Sequence, residues 1–239
     1  MQYLFLWLQG PLQSWGASSR FDLRQTLDFP TKSGIYGMLL AASGDSGPQE
    51  DLLAQMADLP FTVYSYTTQK NDGSIQNGDV LTDFHMTGNG YDEKDKWQSM
   101  HIPRTSKGTK AVGGGAKLTY RNYLQDCYFA AILGMPDPLA EKFSQALQKP
   151  VYDLYLGRKC CVPTSQVFRG CFATQDEAEH ALQEKLSREN PELKKILAVK
   201  ETPTEECPGD LLLNDVPLRF GTQKLYRTRW VTIYPAPSD

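Results

Sequence analysis

Tyr3–Leu8, with the sequence YLFLWL, is a run of apolar residues rich in aromatics, which is typical of a buried β-strand. Gly10 ends this strand. Further along, Ile35–Ser43 carries apolar residues at helical spacing, which predicts a helix with Ser33 as its N-cap and Gly44 as its C-cap. The chain therefore begins with a strand followed by a helix.

The segments after this helix continue the alternation. Phe61–Thr67 and Val80–Thr87 are predicted to be strands that pair through a turn at Asn71-Asp72-Gly73. Three more elements follow, the strand Cys127–Leu133, the helix Pro136–Leu147 and the strand Pro150–Leu156. This order predicts an α+β fold over residues 1–157, a ferredoxin-like or RRM-like βαββαβ domain with an inserted arm.

The inserted arm is residues 88–116, which lack apolar periodicity and are rich in Gly, Lys and Ser. A connection of this length inside a compact domain predicts a functional loop or a long hairpin that projects from the fold. Residues 158–239 are expected to form a smaller, β-rich C-terminal lobe. Its predicted elements are strands near Val167–Phe172 and Arg227–Tyr234 and an acidic helix at Gln175–Arg188.

The charges are segregated along the chain. Asp176–Asp215 holds eleven acidic and five basic residues, a net of −6, so the rest of the chain sums to +3 within the total of −3. Lys96–Gln125 contains six basic residues and no acidic residue. This pattern is typical of a protein with one anion-binding face and one solvated face, and a polyanion is a candidate partner.

Several classes of protein are disfavoured by composition. No stretch of about 18 uninterrupted apolar residues occurs, so no membrane span is expected, and the N-terminus lacks the features of a signal peptide. The five cysteines form no C-x-x-C pair, and no metal site or cofactor is expected. Reduced thiols fit a cytoplasmic protein.

Pro30–Gly34 places Lys32 and Ser33 just before the first predicted helix. A helix N-terminus offers unpaired N–H groups and a partial positive charge, to which Lys32 adds a full charge, so a phosphate fits there. The alternative is an ordinary capped helix with an exposed lysine.

Leu8–Gly16 follows the first strand, and its Gln13 and Trp15 can hydrogen-bond or stack a nucleic-acid base. The alternative is a glycine-containing turn whose Trp15 packs on the core. A second glycine turn, Tyr155–Lys159, ends in the adjacent cations Arg158 and Lys159.

His101 lies in the basic arm, near Lys107 and upstream of Tyr120. Metal-independent RNA cleavage needs a base and cations, which these residue types supply. The simpler interpretation is an arm that contacts bases. No calcium loop, G-x-S-x-G or H-E-x-x-H motif occurs.

Six segments together resemble the CRISPR-associated CasD family, the fifth-numbered Cas family, in its type I-E form. They are Leu8–Gly16, Arg24-Gln25-Thr26, Phe29–Gly37, Thr82–His85, Tyr120–Cys127 and Tyr155–Cys161. The resemblance runs from the first strand to about Gly170, and from about Cys171 to Leu225 it is loose. The opening motif is long and specific, whereas each later motif is weak alone.

This resemblance implies an RRM-like domain of the RAMP superfamily, with a thumb-like β-hairpin at residues 88–116. It also implies a non-catalytic subunit of a Cascade complex that caps the 5′ handle of the crRNA. The implied partners are the crRNA, the adjacent backbone subunit, the large subunit and, indirectly, target DNA.

The resemblance leads us to expect RNA contacts from residues in four places. Lys32, Ser33 and Gly34 would meet phosphates at the helix N-terminus, with Gln13 and Trp15 beside them. The remaining expected contacts are Arg20, Arg24, Arg104, Lys107, Lys110, Lys117, Arg121, Arg158 and Lys159.

Two rival functions remain open. One is a metal-independent endoribonuclease that processes pre-crRNA repeats, as a related type I-C branch does, although the type I-E opening motif argues against it. The other is a protein-interaction module that makes no RNA contact of its own.

Overall fold

The computed structural model describes residues 1–16, 22–68, 79–87, 94–101, 104–109, 117–202 and 209–236. The strands are β1 (Gln2–Gln13), β2 (Leu23–Arg24), β3 (Phe61–Thr68), β4 (Val80–Thr87), β5 (Lys117–Met135), β6 (Phe168–Phe172), β7 (Leu193–Glu201), β8 (Leu211–Arg219) and β9 (Leu225–Pro235). The helices are α1 (Lys32–Ser43), α2 (Glu50–Met56), α3 (Lys96–His101), α4 (Asp137–Gln148) and α5 (Gln175–Glu189). No helix in these ranges is long and apolar enough to cross a membrane.

All the strands belong to one large, mainly antiparallel sheet with the order β6-β1-β5-β3-β7-β9-β8. The long strand β5 serves two regions of this sheet. Its C-terminal half lies between β1 and β3, and its N-terminal half lies between β2 and β4. The backbone of Asp126 between these halves is left-handed, with φ of 50°.

The side chains of β1 alternate between two cores, as the period of a strand requires. Leu4, Leu6 and Leu8 are buried in the larger core, which also holds apolar side chains of α1, α2 and α4. Phe5 and Trp7 point to the other face, where α5 packs on the sheet. The unbroken apolar run at the start of the chain thus reflects a strand that is covered on both faces.

The first helix confirms one predicted cap and corrects the other. Gly44 ends α1 in the left-handed conformation, with φ of 77°. The N-cap is Thr31, whose hydroxyl accepts a hydrogen bond of 3.2 Å from Gly34 N. Ser33, the predicted N-cap, already lies in the first turn, so that prediction is wrong.

Several predicted elements are confirmed with similar bounds, namely β3, β4, α4, β6, α5 and β9. The first strand is confirmed as a strand, but it continues through Gly10 to Gln13 by pairing with β5, so its predicted end at Gly10 is wrong. The predicted pairing of β4 with β3 is wrong, because β4 pairs with β5. The predicted turn at residues 71–73 lies outside the described residues.

Pro150–Leu156 is not a strand as predicted. Instead, the amides of Val151 and Tyr152 donate to the carbonyls of Ala42 and Ala41 at the end of α1. These bonds hold the segment against the helix end, away from the sheet.

The strands after residue 157 extend the existing sheet, because β6 pairs with β1 and β7 pairs with β3. Neither β7 nor β8 was predicted from the sequence. The division into units 1–157 and 158–239 stays a prediction, but the boundary does not separate two sheets.

A group of four charged side chains, three of them buried or nearly so and Glu201 partly exposed, joins this C-terminal part to α1. Asp215 accepts hydrogen bonds from Lys32 N at 2.7 Å and from Arg229 Nε at 2.7 Å. Glu201 accepts from Lys32 Nζ at 2.7 Å and from Arg229 Nη1 at 2.9 Å. The network therefore pairs two cations with two carboxylates and uses one carboxylate to hold the N-terminus of α1.

Lys32 is almost fully enclosed, with 1% of its surface exposed. Burial lowers the pKa of its ammonium group, although the Glu201 carboxylate opposes this effect. Two backbone carbonyls, those of Ala57 and Leu59, accept its remaining hydrogen bonds at 2.9 Å each. All three donors of the ammonium group are therefore used inside the protein.

Lys32→Met should lower the free energy of unfolding by about 3 kcal/mol, because it leaves two buried carbonyls without a donor and Glu201 with Arg229 as its remaining donor. Urea denaturation measures the change. Lys149→Met, at an exposed lysine after α4, is the control and should stay within about 0.5 kcal/mol of the parent. Equal effects of the two substitutions would contradict this assignment.

Candidate nucleic-acid interface

The antiparallel ladder of β4 and the N-terminal half of β5 forms the base of the predicted arm. Residues that face each other across this ladder share one side of it. One side carries a cluster of large exposed apolar side chains, with the rings of Phe84 and Tyr120 centred 5.4 Å apart. We call it the apolar side, and it consists of Val80, Phe84, Met86, Leu118 and Tyr120.

The opposite side of the same ladder carries arginines from three distant parts of the sequence. The β2–β5 register puts Arg24 beside Arg121. Arg158 lies over the ring of Tyr123, with its guanidinium carbon 4.8 Å from the ring centre. Tyr123 is two residues beyond Arg121 on β5, so both face the same way. We call Arg24, Arg121 and Arg158 the arginine face.

Arg158 is held in place by backbone and aromatic contacts. Its Nη2 donates to the carbonyl oxygen of Arg24 at 3.0 Å. Its Nη1 is buried and has no hydrogen-bond partner among the described residues. Burial, and then a hydrogen bond with Cys160, raises the pKa of Tyr123, so this phenol stays neutral beneath the guanidinium.

Asp83 lies on the same side of the ladder as Arg121. Asp83 is opposite Arg121 in the β4–β5 register, and its Oδ2 is 4.0 Å from His85 Nδ1. Asp22 and Asp79 also adjoin this ladder, because their carbonyl oxygens accept hydrogen bonds from Tyr120 N and Gln125 N, so acidic residues flank the three guanidinium groups.

The turn that carries Arg158 and the exposed Lys159 depends on Gly157. Its φ of +92° is strained for any residue with a Cβ atom, and a Cβ there would overlap the carbonyl oxygen of Ser14. Ser14 N in turn donates to the carbonyl oxygen of Leu156 at 3.1 Å. The end of β1 and the Arg158 turn are thus in direct contact.

Other predicted cations lie further out on the arm. Arg104 and Lys107 are exposed in a turn in which Arg104 Nη1 donates to Gly108 O at 3.2 Å. Lys117 begins β5. Arg20 and Lys110 lie outside the described residues, so the contacts predicted for them stay predictions.

The residues predicted at the start of α1 do not form a phosphate site. Lys32 is buried in the ion network, so its predicted contact with RNA is wrong. Ser33 Oγ donates to Thr31 Oγ1 at 3.4 Å. A Cβ at Gly34 would meet the ring of Trp15 within 3.0 Å, so this glycine serves close packing inside the core.

Gln13 and Trp15 are also interior residues, which corrects their predicted role as base readers. Trp15 is 1% exposed, and its Nε1 donates to Gln13 Oε1 at 3.1 Å. Gln13 Nε2 donates to the carbonyls of Leu8 and Cys127. The two side chains satisfy each other and the backbone of the sheet, as the alternative core interpretation requires.

The sequence did not identify the exposed rings at the base of the arm and on α3 as a surface, although Tyr120 was named in the cleavage hypothesis. Phe84, Tyr120 and Trp97 are all exposed, and Trp97 lies on the short helix α3. The alternation within Val80–Thr87 indicates this surface, because every second residue of a strand lies on the same side. Those residues are Val80, Thr82, Phe84 and Met86.

The described residues bring together no group of three His, Cys, Asp or Glu side chains that could hold a metal ion. Cys160 and Cys161 are neighbours with their Sγ atoms 4.0 Å apart. Burial, followed by the influence of Cys160, raises the pKa of Cys161 to about 12, so this thiol stays protonated.

The chain is similar in sequence to known CRISPR-associated proteins. A family model described as "CRISPR-associated protein (Cas_Cas5)" matches residues 3–232. Over 178 residues the chain is 27% identical to "CRISPR system Cascade subunit CasD" of Escherichia coli (strain K12), which covers 73% of each protein.

Two solved structures are similar along nearly the whole chain. One, described as "CRISPR RNA-guided surveillance complex", matches with a TM-score of 0.66 and 27% identity over 98% of this chain and 89% of that chain. The other, described as "Crystal structure of Cas protein", matches with a TM-score of 0.64 and 28% identity over 98% and 95% of the respective chains. Both similarities support the mixed α/β architecture with one large sheet.

Gly157→Ala should destabilise the protein by more than about 1 kcal/mol, since the added methyl group overlaps Ser14 and the backbone is left-handed. Gly37→Ala is the matched control, because it lies in α1 with open space around its Cβ position. It should leave stability unchanged or raise it by about 0.5–1 kcal/mol. Thermal unfolding of both variants distinguishes the two effects, and equal melting temperatures would refute the close approach.

Proposed function

Because the chain belongs to the Cas5 family of CRISPR-associated proteins, we propose that it is a subunit of a Cascade-type surveillance complex. In this proposal it binds and caps the 5′ repeat-derived handle of the crRNA. It acts in the cytoplasm as a non-catalytic, RNA-binding component of a ribonucleoprotein.

The arginine face is the observation that carries this proposal. It gathers Arg24, Arg121 and Arg158 from positions up to 134 residues apart, through strand pairing and the bond from Arg158 to Arg24. Guanidinium groups bind phosphate in bidentate fashion, and they also stack on bases. The unpaired Nη1 of Arg158 supplies a donor that a phosphate oxygen would satisfy.

The arm extends this face toward the RNA in our proposal. Arg104 and Lys107 lie in its turn, and the exposed ring of Trp97 lies on its short helix α3, whereas Phe84 and Tyr120 lie on the opposite side of the ladder from the arginine face. Single-stranded RNA is bound by cations that contact the backbone and aromatic rings that stack bases. The arm would act as a thumb that holds the handle against the arginine face.

We further propose that β6-β1-β5-β3, with α1 and α4, is a ferredoxin-like βαββαβ unit. In this arrangement β6 replaces the predicted strand at residues 150–156 as the last strand. The position of α1 and α4 on one side of the sheet supports this interpretation.

Its protein partners would be the adjacent backbone subunit and the large subunit, and target DNA would be reached only through them. The apolar side of the ladder supports a protein contact, because five large apolar side chains are exposed together there and contiguous exposed apolar surface is typical of interaction sites.

Removal of one arginine from this face should weaken handle binding and flatten its salt dependence. For Arg121→Gln and Arg24→Gln, the slope of log affinity against log salt should fall by about 0.7 each, since each removes one cation from the strand. Arg188→Gln, on an exposed residue of α5, is the control with equal charge change. Filter binding of handle RNA to the assembled complex provides the measurement. An unchanged slope in both test variants would contradict the proposal.

A non-catalytic role predicts that repeat RNA stays intact. Full-length protein incubated with pre-crRNA repeat in the absence of metal should give no specific product on a denaturing gel. His85, next to Asp83 on the arginine face, and His101 of the arm are the histidines to replace if product appears. Cleavage at one position that His85→Ala or His101→Ala abolishes would establish the rival endoribonuclease function.

A further inference from the structure

A pocket lies between α5 and the sheet, on the face that also holds Phe5 and Trp7. Its volume is about 280 Å³, which corresponds to roughly nine water molecules at liquid density. Tyr64 and Tyr66 of β3, Glu179 and Gln183 of α5, and Lys195 and Lys200 of β7 line it. Neither the family resemblance nor the arginine face accounts for this cavity.

Tyr66 is the residue that points to a ligand. It is 3% exposed, and its hydroxyl has no hydrogen-bond partner among the residues that the structure describes. Buried hydroxyls are nearly always paired, because an unpaired one costs about 1–3 kcal/mol. Burial and the nearby Glu179 carboxylate raise the pKa of Tyr66, so the group stays protonated and can donate.

The charges around the pocket favour an anion. Lys195 and Lys200 are exposed at the pocket, with their ammonium groups 5.1 Å from the ring centre of Tyr64 and 6.0 Å from that of Tyr234. The one carboxylate, Glu179, already accepts hydrogen bonds from Tyr64 at 2.5 Å and from Gln175 at 2.8 Å. The two lysines and the one carboxylate that line the pocket therefore give it a net charge of about +1.

Glu179 is ionised, which agrees with this count of charges. Partial burial raises its pKa, but the hydrogen bonds from Tyr64 and Gln175 outweigh that effect, so its pKa lies below the usual value. It therefore remains a carboxylate that fixes Tyr64. Tyr66 is left as the free neutral donor of the pocket.

We propose that this pocket binds one nucleotide, with its phosphate on Lys195 and Lys200 and an acceptor atom of the nucleotide on the Tyr66 hydroxyl. The exposed ring of Tyr234, which also lines the pocket, provides flat apolar surface for the base or sugar, and lysines bind phosphate as point charges. An acidic peptide would satisfy the lysines but would leave the aromatic surface unused. The nucleotide can be free or part of a single strand.

This site is independent of the handle-binding function proposed above, because it shares no residue with the arginine face. Calorimetric titration of the full-length chain with adenosine monophosphate and with uridine monophosphate tests it directly. Inorganic phosphate, hexaglutamate and a five-nucleotide RNA are titrated in parallel. Arg121→Gln should leave mononucleotide binding unchanged, so failure of one proposal is separable from failure of the other.

Tyr66→Phe, which removes only the hydroxyl, should weaken mononucleotide binding about five- to tenfold. Lys195→Gln should weaken it several-fold, and more strongly at low salt. Lys194→Gln is the matched control, since Lys194 is an exposed neighbour on the same strand and does not line the pocket. It should leave the affinity unchanged.

Tighter binding of the five-nucleotide RNA, with the same sensitivity to Tyr66→Phe, would support the site and assign it to a nucleic-acid strand. Equal affinities for the mononucleotide and the oligomer would support it as a site for free nucleotides. Three results would overturn it, namely no binding of either mononucleotide, binding that Tyr66→Phe and Lys195→Gln leave intact, or equal binding of phosphate or hexaglutamate.

Discussion

The pairing of β5 with four other strands is the constraint on which the rest of the molecule depends. Nineteen residues long, β5 is flanked by β1 and β3 in the core and by β2 and β4 at the base of the arm. One continuous backbone therefore transmits the rigid geometry of the buried sheet to an exposed ladder. Arg121 and Tyr123 gain fixed positions because the same strand is anchored by Phe129 and Ile132 a few residues later. A surface built on strand pairing in this way keeps its cations in register before any RNA binds, which lowers the entropy lost on binding.

The elements with strong local signals were predictable from the sequence, and those that depend on distant partners were not. The alternation of Phe61–Thr67 and the glycine at position 44 describe local geometry, so β3 and the end of α1 were predicted correctly. The pairing of β4 was mistaken because the nearest strand in sequence is β3, whereas the ladder forms with β5 more than thirty residues later. The strand β7 was missed because its charged residues, among them Lys194 and Lys195, obscure an apolar pattern that becomes clear only when β3 lies alongside.

The residues of the candidate site show the same contrast, because the roles of several of them depend on partners that are distant in the sequence. Arg24, Arg121 and Arg158 were named from the sequence as RNA contacts, and those contacts stay predictions. The sequence did not indicate that the three half-buried side chains lie on one side of a ladder, because strand pairing and the bond from Arg158 to Arg24 bring them together. Lys32 was misassigned because its partners Glu201 and Asp215 are more than 160 residues away, and no pattern near Lys32 indicates a buried ion network. Gln13 and Trp15 were misassigned for a related reason. A polar side chain next to a glycine turn can serve a ligand or the backbone of a neighbouring strand, and only the contact with Cys127 decides between them.

The most direct test of a handle-capping subunit is to find where the chain touches RNA in the assembled complex. The chain would be co-expressed with the other genes of its locus and a repeat-spacer array and purified through a tag on it. Ultraviolet crosslinks would then be mapped on both RNA and protein. Crosslinks from Arg24, Arg121 or the Arg158 turn to the 5′ repeat-derived end are the predicted result. Crosslinks spread evenly over the spacer, or a purified complex without RNA, would contradict the account.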